Sequence, residues 1–538
     1  MKNYQDDFST RYLPAPELQP VYSFLDDPAF SCPEDINCVS EILDRHLEEA
    51  NALRVALRSE FQTWTYLDLY GKANQIAHVL KDDAHFVPGN RVLIRSANNP
   101  MFVACWFGIL KAGGIAVATM PLLRSKELTT IVECAQVSHA FCDFRLKEEL
   151  ELVDDFVLKT RFLFDGTGRT DQDLESRMNP KPRWFLNYET GAESVALIGF
   201  TSGTTGKPKM TAHFHRDILS ICKSFPLYAL QIRPEDVVTG SPPIGFTFGL
   251  GGLVLFPLYY GASSYLLEKP SPDVILETIS KNKVSICFTA PTAWRMLTAK
   301  VKEYNLSSLR KCISAGEALP VKVWDDWFEA TGLRIIDGIG ATEMLHIFIS
   351  ANEQDQKKGA LGKPIPGYEA KLVDANGKES PKGEIGRLAI RGITGCKYLS
   401  RPEKQQEYVQ DGWNLTGDLF RMDEDGYFWF VSRGDNMIIS SGYNIAALEV
   451  ESVLIHHPEV ADCAVVGKPD EERGHLVCAY VVLKNPALAS NDLVKQIQDW
   501  FKQEAAPYKY PREIQFMDSL PKTETGKTQH FKLKEINL

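Results

Sequence analysis

No stretch of this chain is apolar for long enough to span a bilayer. The best run, 102–123, is broken by Lys111 and by Gly113 and Gly114, whereas a spanning helix needs about 20 consecutive apolar residues. The first residues, Met1-Lys2-Asn3-Tyr4-Gln5-Asp6-Asp7, are too polar for a secretion signal. The eleven cysteines include no CxxC pair, and only Cys32 and Cys38 are close neighbours in the first hundred residues. That spacing excludes the common zinc motifs and a disulfide framework, and it fits a reducing cytoplasm. Positive charge is also short: 59 Lys and Arg stand against 70 Asp and Glu, a net charge of −11. A broad nucleic-acid or anionic-membrane surface is therefore not expected, while a local basic pocket is compatible with that balance. Small molecules are the expected partners.

With 538 residues, 44% of them hydrophobic, the chain can bury several cores and is expected to divide into domains. An amphipathic helix pattern covers 66–80. From Arg91 the alternation is clearer: a strand at 91–97, Asn99-Pro100 as N-cap and first-turn proline, a helix at 101–112 stopped by Gly113-Gly114, and a strand at 115–120. This βαβ unit, with further strands near 140–144 and 161–164, points to an α/β fold with mostly parallel sheet and covering helices. Strand and turn signals dominate 361–430, a smaller β-rich subdomain. The last hundred residues alternate again, with helices at 449–457 and 492–504 and strands at 461–466 and 476–483, a compact α+β unit.

The most informative stretch is Phe200-Thr201-Ser202-Gly203-Thr204-Thr205-Gly206-Lys207-Pro208-Lys209, which follows a buried-strand pattern at 194–200. Its glycines let the backbone approach an anion, its hydroxyls and N–H groups can donate to phosphate oxygens, and its lysines add charge. A triphosphatase P-loop would need four residues between the first glycine and Gly-Lys; only Thr204-Thr205 intervene here, and Pro208 stands where Ser or Thr is required. Two more glycine turns, Ser314-Ala315-Gly316-Glu317-Ala318-Leu319-Pro320 and Asp337-Gly338-Ile339-Gly340-Ala341-Thr342-Glu343, follow strand patterns at 311–313 and 333–336. Ser241-Pro242-Pro243-Ile244-Gly245-Phe246-Thr247-Phe248-Gly249-Leu250-Gly251-Gly252 is expected to be a loop that presents its two rings to a cavity. His213 and His215 are expected on one face of a strand, in a structural or pocket-wall role, because no third metal ligand is near. The later segments Gly412-Trp413-Asn414-Leu415-Thr416-Gly417-Asp418, Ser432-Arg433-Gly434-Asp435-Asn436-Met437, Ser440-Ser441-Gly442-Tyr443-Asn444-Ile445 and Pro521-Lys522-Thr523-Glu524-Thr525-Gly526-Lys527 complete the set.

In order and spacing these segments resemble the signature of the adenylate-forming superfamily: acyl- and aryl-CoA synthetases, luciferases and the adenylation domains of peptide synthetases. The likeness covers nearly the whole chain. The run Gly338-Ile339-Gly340-Ala341-Thr342-Glu343-Met344-Leu345-His346-Ile347-Phe348 looks in particular like the benzoate and 2-aminobenzoate CoA ligases. The resemblance implies an N-terminal AMP-binding domain at 1–434, with 361–430 as its β-rich part, and a small mobile C-terminal domain at 435–538 hinged at Asp435. ATP or AMP would be bound by Thr201, Ser202, Gly203, Thr204, Thr205, Gly206, Lys209, Gly316, Glu317, Asp337, Gly338, Ile339, Thr342, Asp418, Arg433 and Lys527. Within that set Thr342 would touch the phosphates, Glu343 would hold Mg²⁺, Asp418 would accept from the ribose hydroxyls, and Lys527 would be the adenylation lysine. Thr342, Glu343 and Lys527 are thus the implied catalytic residues. Ser441, Gly442 and Tyr443 would meet coenzyme A. The chain departs from the pattern at Ile339, where an aromatic often stacks on adenine, at Asn436 in place of an aspartate, and at His530 in place of an arginine.

The implied reaction makes an acyl-adenylate from ATP and a carboxylic acid, then a thioester with coenzyme A. The resemblance assigns the acid pocket to Thr247, Phe248, Ala315, Gly340 and His346, which suit a planar ring better than a long chain. Benzoate-sized acids are therefore expected, with 2-aminobenzoate preferred because Thr247 can accept from an ortho amine. Two alternatives stay open: transfer to a carrier-protein thiol, and a nucleotide-binding regulator without activity. No nucleic-acid or membrane partner is expected, and a homodimer is left open.

Overall fold

The computed structural model describes residues 4–48, 51–154, 156–201, 208–434, 437–440, 443–470, 474–505, 509–522 and 528–536. The chain forms two compact units: the first comprises 1–370 and 390–415, the second 371–389 and 416–538. The fold is mixed α/β, with parallel sheets dominating the first unit.

Among the described residues, two sheets lie wholly within the first unit. The six-stranded sheet runs Thr160–Phe164, His139–Asp143, Arg91–Arg95, Ile115–Thr119, Val195–Thr201, Lys209–Phe214, parallel throughout except for its last, antiparallel pair. The nine-stranded sheet runs Lys363–Pro364, Ile347–Ser350, Ile335–Gly340, Lys311–Ala315, Ile286–Thr289, Val237–Gly240, Ser263–Tyr265, Val55–Arg58, Thr63–Thr65, antiparallel only at its two edges. Strands buried on both faces read as near-continuous apolar runs; Arg91–Arg95, His139–Asp143 and Lys311–Ala315 are buried at every position, with charged or polar residues mostly at their ends. The helix Tyr66–Asp83 starts at a capping box between Thr65 and Asp68. The helix Pro100–Lys111 starts where Asn99 accepts from the Phe102 N–H.

In the second unit an antiparallel sheet, Tyr443–Ala446, Met437–Ser440, Gly474–Leu483, Val460–Asp470, takes Glu513–Phe516 as a parallel strand on Gly474–Leu483. Ile445, Val450, Leu454, Val465, Ala479, Ile497 and Phe501 build its core. The amphipathic helix Asn491–Glu504 turns Leu493, Ile497 and Phe501 inward at a spacing of four, one helical face. Among the described residues no helix is long and apolar enough to cross a membrane. All eleven cysteines are free thiols.

Candidate active site

Both sheets of the first unit deliver candidate residues at the C-terminal ends of parallel strands, where open α/β sheets bind ligands. Thr201 ends Val195–Thr201, Ala315 ends Lys311–Ala315, and Gly340 ends Ile335–Gly340. Gly316 follows at φ 94°, a conformation that only glycine adopts without strain. The turn Thr342–Met344 comes next after Gly340. It touches the other sheet at Gly199, where a Cβ would stand 2.8 Å from Thr342 Cγ2. Thr247, Phe246, Leu250 and Thr342 line a narrow cleft of about 10 Å³ against Leu197, Gly199 and Phe200.

Thr342 and Glu343 are held from two directions. His213 is fully buried, and its Nε2 lies 2.7 Å from the Thr342 carbonyl oxygen. Burial lowers its pKa to about 4, so the ring is neutral at pH 7 and Nε2 carries the proton donated to Thr342. Glu343, 8% exposed, accepts through Oε1 from the Tyr398 hydroxyl at 2.5 Å. That hydroxyl accepts in turn from Lys209 Nζ at 2.8 Å, and Nζ stands 3.9 Å from the Glu343 carboxylate. Among the described residues no three His, Cys, Asp or Glu side chains gather as a metal site. A lone hard carboxylate suits Mg²⁺, which keeps several waters and takes further oxygens from a bound phosphate, and it suits no all-protein metal cage.

Ser314 and Asp337 are registered neighbours on adjacent strands. The Ser314 hydroxyl and the Asp337 carboxyl are both buried and near enough for the hydroxyl to lower the Asp337 pKa. Burial pushes the Asp337 pKa up to about 8, against the lowering effect of the Gly338 N–H. Ile339 pairs with Ile349 across the sheet edge, and Glu317 accepts from the Thr292 hydroxyl at 3.0 Å.

His346 sits beside this turn, 3% exposed. Its ring centroid lies 4.5 Å from that of Phe256, 5.7 Å from Phe248 and 5.9 Å from Phe225. Burial lowers its pKa to about 3, against the raising effect of a hydrogen bond to the Phe248 backbone. Gly340 passes close behind it: a Cβ there would lie 2.7 Å from the His346 carbonyl oxygen.

Two expectations need correction. The segment from Ser241 to Gly252 is irregular only as far as Phe246, which lines the cleft; from Thr247 it is helical, through Thr247–Leu250 into Gly251–Leu255. Its glycines serve close packing, since a Cβ at Gly249 would lie 2.2 Å from the Pro243 carbonyl oxygen, one at Gly251 2.4 Å from the His346 ring, and one at Gly252 2.8 Å from the Phe288 ring. His213 and His215 do not share a strand face, because the strand stops at Phe214 and His215 opens the helix His215–Lys223. Asp217 drives that break by accepting from the Phe214 N–H at 3.0 Å, and His215 Nδ1 accepts from the Cys38 N–H at 3.1 Å.

In the second unit Asp418 and Arg433 face each other in register, with Arg433 Nη1 3.7 Å from Asp418 Oδ1. Ser202, Gly203, Thr204, Thr205, Gly206, Asp435, Ser441, Gly442 and Lys527, and the side chain of Tyr443, lie outside the described residues. Tyr398, which the sequence reading did not single out, is the link between Lys209 and Glu343. A lone tyrosine in Cys396-Lys397-Tyr398-Leu399 carries no local signal of that role.

The sequence profile of the AMP-binding enzyme family matches residues 43–397, and that of the AMP-binding enzyme C-terminal domain matches residues 449–527. The chain belongs to the AMP-binding enzyme family. As a member of this adenylate-forming group it is an acid–thiol ligase. The benzoate–CoA ligase of Thauera aromatica is 33% identical to it over 94% of this chain and 97% of its own. An uncharacterized acyl–CoA ligase of Bacillus subtilis is 33% identical over 88% of this chain and 90% of its own. Among solved structures, the anthranilate CoA ligase AuaEII in complex with anthranoyl-AMP superposes with a TM-score of 0.89 at 36% identity, covering 95% of this chain and 98% of that one. A benzoate CoA ligase from Burkholderia xenovorans LB400 gives 0.84 at 28% identity over 93% and 100%.

Proposed function

We propose that the enzyme is an aryl-CoA ligase that activates a benzoate-type acid, with 2-aminobenzoate preferred. The observation that carries the aryl assignment is His346: a buried, neutral imidazole walled by Phe225, Phe248 and Phe256. Aromatic walls favour a planar ring in offset or edge contact. A neutral imidazole keeps one nitrogen that can accept a hydrogen bond, and an ortho amine on the ring can donate it. The relatives named for benzoate and anthranilate support the same class. The cleft beside Thr247 has room for about one water.

In the first step the acid's carboxylate oxygen attacks the α-phosphorus of ATP and pyrophosphate leaves. In the second, the thiolate of coenzyme A attacks the acyl carbon and AMP leaves. Neither step needs a protein nucleophile, so the side chains act by position and charge. Thr201, Ser202, Gly203, Thr204, Thr205, Gly206 and Lys209 bind phosphate oxygens, Thr342 donates from the turn that His213 fixes, and Lys527 adds charge at the α-phosphate. Glu343 would hold Mg²⁺, which when bound neutralises charge on the phosphates. The buried Ser314 and Asp337 oxygens offer acceptors to the purine amino group, and protonated Asp337 offers a donor as well. Gly316, Glu317, Gly338 and Ile339 form the walls around the base, with aliphatic contact from Ile339 in place of stacking. Asp418 and Arg433 take the ribose, and Ser441, Gly442 and Tyr443 the pantetheine. The small domain, 435–538, turns on Asp435 between the steps. A cytoplasmic location agrees with eleven free thiols.

The test is kcat/KM for benzoate, 2-aminobenzoate, a hydroxybenzoate and octanoate with coenzyme A as acceptor. The aryl acids should exceed octanoate by on the order of 100-fold, since one missing aromatic contact set removes a few kcal/mol. A preference for octanoate overturns the aryl assignment, and thioester formation only on a carrier-protein thiol overturns the acceptor.

A further inference from the structure

Tyr398 occupies a position that the two-step reaction does not explain. It is 1% exposed. Its backbone bridges Thr211 in the antiparallel sense and its N–H donates to Gln405 Oε1 at 2.8 Å, so the residue is fixed along the strand Lys209–Phe214. Its ring meets Tyr408 edge to face at 5.7 Å, which fixes the phenol. The hydroxyl then has one direction open, and both of its hydrogen-bonding roles are used there. It donates to Glu343 Oε1 at 2.5 Å and accepts from Lys209 Nζ at 2.8 Å. Lys209 Nζ also lies 4.6 Å from the Tyr398 ring centroid, held against the ring's negative face.

The consequence lies in the distance the hydroxyl maintains. Lys209 and Glu343 are 3.9 Å apart, short of a hydrogen-bonded ion pair, and the Tyr398 oxygen is bonded to both. Two opposite charges this close and this poorly exposed would otherwise close to contact, where a charge-assisted hydrogen bond forms at about 2.7–2.9 Å. A closed pair would neutralise the carboxylate needed by a cation and the ammonium needed by a phosphate.

We propose that Tyr398 is a positioning residue that keeps Lys209 and Glu343 apart, so that the carboxylate faces the metal of the ATP complex and the ammonium faces its phosphates. This rests on the assignment of Glu343 and Lys209 made under Proposed function. Tyr398→Phe removes the oxygen and keeps the ring that packs on Tyr408. Without the oxygen the pair closes, and Mg²⁺ must compete with Lys209 for Glu343.

The experiment is calorimetric titration of the full-length enzyme with ATP over a series of Mg²⁺ concentrations, beside steady-state rates over the same series and a thermal melt. For Tyr398→Phe the Mg²⁺ concentration at half-saturation should rise about tenfold. At saturating Mg²⁺ the kcat should return to within about threefold of the parent, a split that a loss of structure would not give. The same half-saturation in the variant as in the parent, or a kcat that stays depressed at saturating Mg²⁺, overturns the proposal. Glu343→Gln separates the two readings. If it loses the Mg²⁺ dependence while Tyr398→Phe matches the parent, Tyr398 alone is misassigned; if Glu343→Gln itself keeps the parental dependence, the metal site is elsewhere and this proposal falls with it.

Discussion

Gly251→Ala puts the acid pocket under direct test. Gly251 has φ −61° and ψ −58°, helical values that alanine adopts freely. On backbone grounds alone the change should stabilise by about 0.4–1 kcal/mol, because it restricts the unfolded chain. The added Cβ, however, would lie 2.4 Å from His346 Cδ2 and 2.8 Å from Nε2. His346 has little freedom to yield: Phe225, Phe248 and Phe256 surround its ring and Gly340 passes behind its carbonyl. Inserting a methyl into such packing costs about 1–3 kcal/mol. The clash therefore exceeds the backbone gain, and the net is a loss of about 1 kcal/mol with the imidazole displaced. Denaturant unfolding of the parent and variant measures the first part, and kcat/KM for 2-aminobenzoate and benzoate measures the second. The ortho-amino acid should lose at least about fivefold more than benzoate, since a misplaced ring nitrogen costs a hydrogen bond worth about 1 kcal/mol. A variant as stable as the parent with unchanged acid preference would refute both the contact and the role given to His346.

Asp337, whose pKa is pushed up to about 8 by burial, stays protonated in the folded enzyme while the unfolded chain ionises near pH 4. Its contribution to stability is therefore full below pH 4 and is lost as pH rises to about 8; Asp337→Asn should flatten that decline, and an unaltered pH–stability curve would count against the buried carboxyl. His530 is lowered by burial but raised more by the Glu451 carboxylate at 2.8 Å, a net upward shift. Its stabilisation is full below the ordinary histidine pKa and lost as pH rises through the elevated one, so His530→Gln should remove a pH-dependent loss in the melting of the second unit above neutrality. Lys527→Ala should slow adenylate formation on the order of 100-fold while thioester formation from supplied acyl-adenylate stays within a few-fold of the parent; equal loss in both half-reactions would make the lysine structural.

The α/β alternation was legible because apolar runs, caps and glycine stops are local signals. Asn99-Pro100 opened the helix it was expected to open, and Gly113 ended the same element at φ 82°. The segment Ser241 to Gly252 was misread because glycine looks the same in sequence whether it frees a backbone or lets a ring lie against it. Only the neighbours distinguish the two cases, and those neighbours, His346 and Phe288, are far away in the chain. The two histidines were misread for a similar reason, since the helix start at His215 depends on Asp217 capping Phe214. That strands lead toward Thr201, Ala315 and Gly340 could be found from the sequence, but two of them run on through the expected turns, to Ala315 and to Gly340; the Lys209–Tyr398–Glu343 chain could not be found. Residues 209, 343 and 398 meet only through the bridge between Thr211 and Tyr398 and the fold of the intervening turn.

The central claim is that this enzyme makes an aryl adenylate and passes it to coenzyme A. Mass spectrometry of enzyme incubated with 2-aminobenzoate, ATP and Mg²⁺, first without and then with coenzyme A, tests it most directly. The account predicts an adenylate of the acid with stoichiometric pyrophosphate in the first incubation, and its replacement by AMP and the aryl-CoA thioester in the second. Release of ADP and phosphate, or a thioester formed with no adenylate on the way, would contradict it.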